Sequence, residues 1–310
     1  MTHYLGSKQR HAANIIAITC ANRKKGQVYC EPFCGGGNVI VKVPQKDGRR
    51  VANDLNWRIV ALLDAAGNKG WQPPEAVTKE EFFAVKENPD AFPPEYVAFV
   101  RTGMTFGSDW EGGFNNMEQA CDVARRAVLK DAPGLKGIEF HSMSYVDFAQ
   151  HIPPESIVYC DPPYRGTTGY GGAKTNIEIG ESLAKNSWNA NTFWRWADGL
   201  VDQGYQVFVS EYKGPPPNIY RESAALKSER ERAATRFQWL QTDSKSSRAD
   251  RDEAAIAIKD VERRIQEDRV RTAARWKLAW EKEVTSDFNH TVEREEQNRK
   301  EFERLFHREP

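Results

Sequence analysis

The sequence predicts an α/β fold: a parallel, doubly wound sheet with an inserted helical subdomain and a long helical C-terminal extension. Short apolar runs alternate with helical patterns over the first 60 residues, which is typical of a parallel sheet with helices on both faces. Apolar runs of this kind resume only after Gly137. We therefore expect a main domain formed by residues 1–72 and 138–220, an inserted subdomain at 73–137 and an extension at 221–310.

The main domain is predicted to begin with a helix, followed by a strand and a glycine-rich loop. Residues 8–19 place Ala12, Ile15, Ile16 and Thr19 on one helical face. Residues 27–33 (QVYCEPF) predict a strand that leads into the loop CGGG. The remaining strands and helices of this domain are predicted at 49–56, 57–67, 137–143, 156–160, 189–201 and 205–212.

The inserted subdomain contains helical pieces that are broken by prolines and by a glycine-rich, aromatic loop at 104–116. The segment after this loop, 117–130, has the spacing of an amphipathic helix. Its predicted apolar face consists of Met117, Ala120, Cys121, Ala124 and Val128, and its basic residues Arg125, Arg126 and Lys130 face outward. The stretch therefore predicts a mostly helical unit inserted between two parts of the sheet.

The C-terminal extension has the composition of exposed helix, because nearly half of residues 221–310 are charged and the only proline is the last residue. Between Arg248 and Val284 there is no glycine or proline, and apolar residues recur at helical spacing. One long helix with a single apolar stripe is therefore predicted. The stripe consists of Ala254, Ile258, Val261, Ile265, Ala273, Trp276, Trp280 and Val284.

A single apolar stripe needs a cover, because a lone amphipathic helix is marginal in water. Three covers are open: the main domain, the same helix of a second chain, or a helix formed by residues 291–306 folding back. A packing hairpin is the preferred interpretation, and a homodimer through the C-terminal helices is the second. A DNA-contacting arm is disfavoured by the mixed charge of the segment.

The composition of the whole chain excludes some classes of protein. Its 44 basic and 44 acidic residues balance, so charge neither favours nor excludes a nucleic-acid partner. No apolar run reaches the roughly 18 residues of a membrane span, and the first residues lack a signal core, so a cytoplasmic protein is expected. Five cysteines without a CxxC pair, and histidines apart from them, predict free thiols and no metal site.

The most informative motif is Asp161-Pro162-Pro163-Tyr164, which follows the predicted strand 156–160. Two prolines remove two backbone donors and fix two φ angles, so the chain must turn out of the sheet at this point. The turn brings a carboxylate, a rigid carbonyl and an aromatic ring to the carboxyl end of a strand. In open α/β sheets that end is where ligands bind.

Two further motifs follow the first two strands. The loop after strand one, Glu31 to Val39 (EPFCGGGNV), lets a backbone approach a ligand closely, although it is neither a P-loop nor a GxGxxG fingerprint. Asp54 ends the second strand about 20 residues later, where an acid can accept hydrogen bonds from both ribose hydroxyls of an adenosine cofactor. Alone, Asp54 is better explained as the cap of the next helix than as a ligand.

The motifs occur in a fixed order along the chain: YxGxK, ExFxGxG, an acid after strand two, a helical insertion and DPPY. With this order the sequence resembles the Dam-like (class α) DNA adenine-N6 methyltransferases. The resemblance covers about residues 2–216, with a short return at EFERLF (301–306). It implies a Rossmann-like methyltransferase fold that uses S-adenosyl-L-methionine, and it makes 73–137 the target-recognition subdomain. It implies cofactor binding by Tyr4, Lys8, Glu31, Phe33, Gly35, Gly37, Asp54 and Asp161, and catalysis by Asp161, Pro162, Pro163 and Tyr164.

The resemblance also implies double-stranded DNA as the partner and adenine N6 as the methyl acceptor. Asp161 and the carbonyl of Pro162 would accept both protons of the target amine, and the ring of Tyr164 would stack on a base flipped out of the duplex. The DNA contacts expected in the inserted subdomain are Arg101, Trp110, Arg125, Arg126 and Lys130. Residues 225–299 have no counterpart in the family pattern.

Three alternatives stay open at this point. The same acceptor geometry suits the N4 amine of cytosine, although DPPY in this motif order favours adenine. RNA adenine methyltransferases more often carry Asn in place of Asp161. A catalytically inactive, DNA-binding homologue is disfavoured because Lys8, Asp54 and Asp161 are all in place.

Overall fold

The computed structural model describes residues 7–106, 110–117, 119–163, 189–211, 224–242, 246–274, 276–284 and 301–308. Within these ranges the chain forms seven strands and nine α-helices, none of which is long and apolar enough to cross a membrane. In chain order they are α1 (Ala12–Thr19), β1 (Tyr29–Glu31), β2 (Arg50–Asn53), α2 (Trp57–Asn68), α3 (Lys79–Glu87), α4 (Pro94–Gly103), α5 (Ala120–Leu135), β3 (Ile138–His141), α6 (Tyr145–Phe148), β4 (Ile157–Cys160), α7 (Ala190–Asp202), β5 (Gln206–Glu211), α8 (Ala224–Thr242), α9 (Arg248–Ala274), β6 (Lys277–Val284) and β7 (Glu301–Arg308).

The seven strands form one sheet in the order β3-β2-β1-β4-β5-β7-β6. The first five are parallel, and β7 runs antiparallel to both of its neighbours, β5 and β6. Parallel neighbours need crossover connections, which the helices supply. The predicted α/β class with a doubly wound parallel sheet is therefore confirmed.

Alternate residues of the central strands contribute to two different hydrophobic cores. Tyr29 on β1 and Tyr159 on β4 belong to the core that also contains α1 and α2. Cys30 and Val158, one position along, belong to the core on α7, where Trp194 is the largest buried side chain. This alternation follows from the two-residue period of a strand, and burial on both faces explains the apolar runs in the sequence.

The inserted helices α3, α4 and α5 lie between α2 and β3 in the chain and pack on the first of these cores. Phe82, Phe99 and Val128 are buried in the same cluster as Tyr29. A capping box at Thr78 and Glu81 fixes the start of α3. The subdomain therefore extends the core of the sheet and does not form a separate one.

One residue of the predicted amphipathic helix at 117–130 is placed differently. The helix begins at Ala120, so Met117 precedes it and its side chain is 65% exposed. Ala120, Cys121, Ala124 and Val128 are buried as predicted. The helical spacing therefore identified the buried face correctly but extended it one turn too far toward the N-terminus.

The prediction of one helix from Arg248 to Val284 is wrong in its last ten residues. Helix α9 ends at Ala274, and residues 277–284 form β6, which pairs with β7. Residues four apart share a face in a helix, but they also share a face in a strand, since four is a multiple of the strand period of two. The spacing of Trp276, Trp280 and Val284 therefore suits both structures, and pairing with β7 decides in favour of the strand.

The predicted end of the main domain at residue 220 is also wrong. Strands β6 and β7 lie after it in the chain and belong to the main sheet. Trp276, directly before β6, is buried against Trp194 with 5.0 Å between the ring centroids. Its indole N–H donates to Asp198 Oδ1 at 3.2 Å. The helical part of the tail is thus an insertion between β5 and β6, and the chain returns to the sheet at Trp276.

Helices α8 and α9 form an antiparallel hairpin. Glu229 pairs with Arg264 at 2.7 Å, and Arg236 pairs with Glu253 at 3.8 Å, so the contacts run in opposite directions along the two helices. The stripe residues Ala254, Val261 and Ile265 are buried, and Leu226 of α8 packs on Val261 and Ile265. The cover is therefore α8 of the same chain, which is none of the three covers predicted for the stripe. The helix predicted at 291–306 is wrong in its last six residues, because β7 begins at Glu301.

The uncovered stripe was the reason for predicting a homodimer through the C-terminal helices. Because α8 covers the stripe within the chain, that reason no longer holds. The homodimer stays a prediction.

Candidate active site

Four acidic side chains lie at the carboxyl edge of the parallel strands. Glu31 and Glu211 are the last residues of β1 and β5, and Asp54 and Asp161 directly follow β2 and β4. The carboxyl ends of parallel strands meet at one edge of a sheet, so these acids converge although they are far apart in the chain. This edge is the candidate active site.

Asp161 forms an ion pair with Lys8, whose Nζ lies 2.8 Å from Asp161 Oδ1. The two side chains are only 19% and 8% exposed. The structure therefore brings together the first and the last of the predicted motifs. Pro162 and Pro163 continue from Asp161 in extended loop, whereas the predicted site residues Tyr4 and Tyr164 lie outside the described residues.

The carboxylate of Asp54 holds the glycine-rich loop. Its Oδ2 accepts a hydrogen bond from Gly35 N–H at 2.8 Å, and its Oδ1 accepts one from Asn56 N–H at 2.9 Å. The cap of α2 is Asn56, whose Oδ1 accepts from Ile59 N–H, so the alternative interpretation of Asp54 as the helix cap is wrong. Burial raises the pKa of Asp54.

The glycine-rich loop uses backbone conformations that favour glycine. Gly35 and Gly37 have φ angles of 47° and 70°. A Cβ on Gly37 would lie 3.3 Å from the side chain of Leu63. The Asn38 amide donates to Ser7 Oγ at 3.0 Å, which ties the loop to the segment that carries Lys8. Both glycines predicted from the motif are therefore required by the geometry of the loop.

Glu31 is a buried carboxyl group beside Asp161. It is 2% exposed, and within the described part of the chain its Oε1 has no hydrogen-bond partner. Burial, and secondarily the negative charge of Asp161, raise the pKa of Glu31 well above its ordinary value. Both effects favour the protonated carboxyl.

This burial predicts a pH-dependent stability. The unfolded chain releases the Glu31 proton near the ordinary glutamate pKa while the folded chain retains it, so wild-type stability should fall as the pH rises through that range. Glu31→Gln cannot ionise, and its stability relative to wild type should increase from about pH 5 to about pH 8. Urea unfolding of both proteins at the two pH values measures this. A difference that stays constant with pH would contradict it.

Phe33 lies on the other side of the site, in an aromatic cluster that the sequence did not predict. Its ring centroid is 5.3 Å from that of Tyr145 and 5.6 Å from that of Phe193. Trp196 completes the cluster at 5.0 Å from Tyr145. The glycine-rich loop is therefore anchored by Phe33 to α7 and to the start of α6. No pattern in one sequence reveals such contacts between distant segments.

The predicted DNA-contact residues are separated by the structure into packed and exposed side chains. Trp110 packs edge-on against Phe82 at 5.5 Å, Arg101 is half-buried on α4, and Arg125 donates to the carbonyl of Pro73 at 3.4 Å. Arg126 and Lys130 are exposed, one turn apart on α5, with Arg126 paired to Asp122 at 2.7 Å. DNA contact by these five residues stays a prediction.

Residues 4–130 match the family model of the D12 class N6 adenine-specific DNA methyltransferases. The D12 match spans α1 to most of α5, and it therefore includes Lys8, Glu31, the glycine-rich loop and Asp54. The match ends before β4 and does not include Asp161. The ion pair with Lys8 places Asp161 next to a residue of the matched region. No curated protein matches the sequence.

The match confirms the resemblance to Dam-like enzymes and identifies the protein as an adenine-specific DNA methyltransferase. The sheet, with five parallel strands and β7 reversed, is consistent with a Rossmann-like methyltransferase fold. The sequence did not predict two polar features near the carboxyl ends of these strands. Asn53 is buried at the end of β2, and the hydroxyl groups of Tyr159 on β4 and Ser210 on β5 lie 2.9 Å apart.

Proposed function

We propose that this methyltransferase transfers a methyl group from S-adenosyl-L-methionine to the N6 amine of an adenine flipped out of a specific site in duplex DNA. The D12 match supports DNA adenine methylation. The observation that carries the rest is the ion pair of Lys8 with Asp161, beside the loop held by Asp54. This geometry offers acceptors for a cationic cofactor and for an amine at the same strand ends.

The residues present fit the cofactor. Each Asp54 oxygen uses one lone pair on a backbone amide and has another for a ribose hydroxyl. A glycine-rich loop at the end of a strand lets the backbone approach a cofactor closely. Glu31 offers a buried carboxyl oxygen without a partner in the described part of the chain, which suits a positively charged ligand. When bound, S-adenosylmethionine supplies a methyl group already activated by its sulfonium.

The residues of this chain would make the target amine more nucleophilic and hold it in position for transfer. The lone pair of an exocyclic adenine amine is delocalised into the ring, so the amine is a poor nucleophile. Asp161 and the Pro162 carbonyl would accept its two protons and favour a more pyramidal nitrogen with a localised lone pair. Lys8 pairs with Oδ1 of this carboxylate at 2.8 Å. Lys8 would thereby hold the carboxylate in one orientation.

Tyr164 directly follows this turn, and its ring is proposed as the stacking surface for the flipped base. Stacking contributes about 1–3 kcal/mol per base, which corresponds to roughly 5- to 150-fold in transfer rate. Tyr164→Phe should therefore retain most of the activity, and Tyr164→Ala should lose it by that factor. Single-turnover methylation of a duplex measures both. Equal losses in the two variants would show that the hydroxyl group matters and not the ring.

The proposed function is tested with purified protein, unmethylated duplex DNA and S-adenosylmethionine labelled in its methyl group. After digestion to nucleosides, the label is expected in N6-methyl-2′-deoxyadenosine. Label in N4-methyl-2′-deoxycytidine would move the activity to cytosine, and label only in a parallel RNA reaction would change the substrate. Absence of label in every reaction, with the protein folded, would favour an inactive DNA-binding homologue.

A further inference from the structure

Asn53, the last residue of β2, has a side-chain amide that is fully used within the protein. The residue is 1% exposed. Its Nδ2 donates to the carbonyl of Pro32 at 3.0 Å and to that of Met143 at 3.0 Å, and its Oδ1 accepts from Met143 N–H at 3.0 Å. Two donors and one acceptor are therefore satisfied by two other segments of the chain.

These hydrogen bonds connect the loops after three neighbouring strands. Pro32 follows β1 and leads into the glycine-rich loop, Met143 follows β3, and Asn53 itself precedes Asp54. Strand β2 lies between β1 and β3 in the sheet, so its end is the one place from which a short side chain reaches both loops.

The side chain acts where the backbone pairing of the sheet stops. The β1–β2 register ends at Glu31 opposite Ala52, and the β2–β3 register ends at Asn53 opposite His141. Just beyond, Cys34 N–H donates to the carbonyl of Asn53 at 2.9 Å. The amide of Asn53 thus continues the cross-strand connections into the loops that carry the proposed cofactor-binding groups.

We propose that Asn53 is a positioning residue for the methyl-donor cofactor: it sets the distance between the glycine-rich loop, Asp54 and the loop after β3 without touching the ligand. This inference rests on the proposed function. Without the amide, the carbonyl of Pro32 and both backbone groups of Met143 lose their partners, and the loops lose three of the hydrogen bonds that fix their separation. Because cofactor binding needs all three loops at once, its affinity should fall more than the rate of transfer from bound cofactor.

Asn68 provides a matched control at the opposite edge of the sheet. It is the last residue of α2, and its side-chain amide donates to the carbonyl of Ile138 at 3.0 Å and accepts from Gly137 N–H at 2.9 Å. It thus makes the same kind of cross-connection at the start of β3, away from the site. Asn68→Ala and Asn53→Ala both remove side-chain hydrogen bonds to backbone groups of other segments. Asn68 is exposed and also donates to Asp64 Oδ1 at 2.8 Å, so its replacement should cost less stability than that of the buried Asn53.

The experiment compares wild type, Asn53→Ala, Asn53→Asp and Asn68→Ala by thermal unfolding, by calorimetric titration with S-adenosylhomocysteine, and by kcat and KM for S-adenosylmethionine. Both alanine variants should unfold at lower temperature. Only the Asn53 variants should bind S-adenosylhomocysteine more weakly, by about tenfold or more, with kcat at saturating cofactor near wild type. Asn68→Ala should bind like wild type.

Asn53→Asp adds a second measurement, the pH dependence of cofactor affinity, which a purely structural role of Asn53 would leave unchanged. Its size is unchanged and it still accepts from Met143 N–H, but as a carboxylate it faces two carbonyl oxygens. Protonation returns one donor, so its binding defect relative to wild type should be smaller at about pH 6 than at about pH 8. If Asn53→Ala does not fold, this variant decides the question.

Wild-type affinity in a folded Asn53→Ala or Asn53→Asp protein would overturn the inference. An equal loss of affinity in Asn68→Ala would also overturn it, because the effect would then be one of general stability. If wild type itself binds neither S-adenosylhomocysteine nor S-adenosylmethionine, the proposed function fails and not the positioning role.

Discussion

Replacing Asp161 with alanine is expected to lower the rate of methyl transfer at least about 100-fold, because it removes the acceptor proposed to face the target amine. It should also destabilise the protein, since Lys8 would be left buried without its partner, 2.8 Å away in wild type. Removing one member of a buried ion pair typically costs about 3–5 kcal/mol. Single-turnover kinetics and urea unfolding measure the two effects separately.

A double variant separates catalysis from folding. Lys8→Met combined with Asp161→Ala removes both charges, so it should regain part of the stability lost in Asp161→Ala. Its methyl transfer should stay absent, because the acceptor is still missing. A double variant that is stable and inactive would show that the Lys8–Asp161 pair acts in the reaction and not only in folding. Lys8→Met alone is the control that separates the two residues. Wild-type turnover in either variant that lacks Asp161 would contradict the proposed mechanism.

The strand ends of the site were predictable because they carry local signals. A proline pair stops β4 at Asp161, and glycines with positive φ form the loop that follows β1. The meeting of Lys8 with Asp161 was implied only by the order of the motifs in the resemblance. Nothing local in the sequence links two residues that are so far apart in the chain.

Other parts of the site had no signal that one sequence can show. Asn53 reads as an ordinary polar residue before Asp54, and its three hydrogen bonds exist only after β1, β2 and β3 have assembled. Phe33 was predicted from the glycine motif, but its packing on Tyr145 and Phe193 depends on tertiary structure. The polar and aromatic groups behind the site are therefore visible only in the fold.

The tail shows a different limit. Helical periodicity predicted the packed face of α9 correctly, through Ala254, Val261 and Ile265. The same spacing continued into β6, where a four-residue repeat does not separate helix from strand. What decides there is pairing with β7, a segment that begins 17 residues after β6 ends. A long-range partner thus overrides the local pattern.

Two deletions that differ mainly in where they end should therefore behave in opposite ways. Replacing residues 226–270 with a short Gly-Ser linker removes most of the α8–α9 hairpin, whose buried residues Val261 and Ile265 form a cluster of their own. The remaining chain keeps Trp276, β6 and β7. It should fold, bind S-adenosylhomocysteine as wild type does and have an unfolding temperature close to wild type.

The longer deletion, Ala225–Glu296, removes most of the segment that has no counterpart in the family pattern. The structure predicts the opposite result to the shorter deletion, because this deletion removes β6, the partner of β7, and the Trp276 ring that covers Trp194. Loss of a buried tryptophan alone typically costs about 3–5 kcal/mol, a large part of the stability of a domain. Aggregation or a strongly lowered unfolding temperature is expected.

Light scattering and thermal unfolding of the full chain and both deletions test this pair of predictions, with Trp276→Ala in the full chain as a point control. Trp276→Ala should lose stability without losing the hairpin, which separates the effect of the ring from that of the deletion length. Equal stability of the two deletions would mean that β6 and Trp276 do not support the sheet. A molar mass that halves when the hairpin is removed would instead establish the hairpin as a dimer interface, in addition to its packing within one chain.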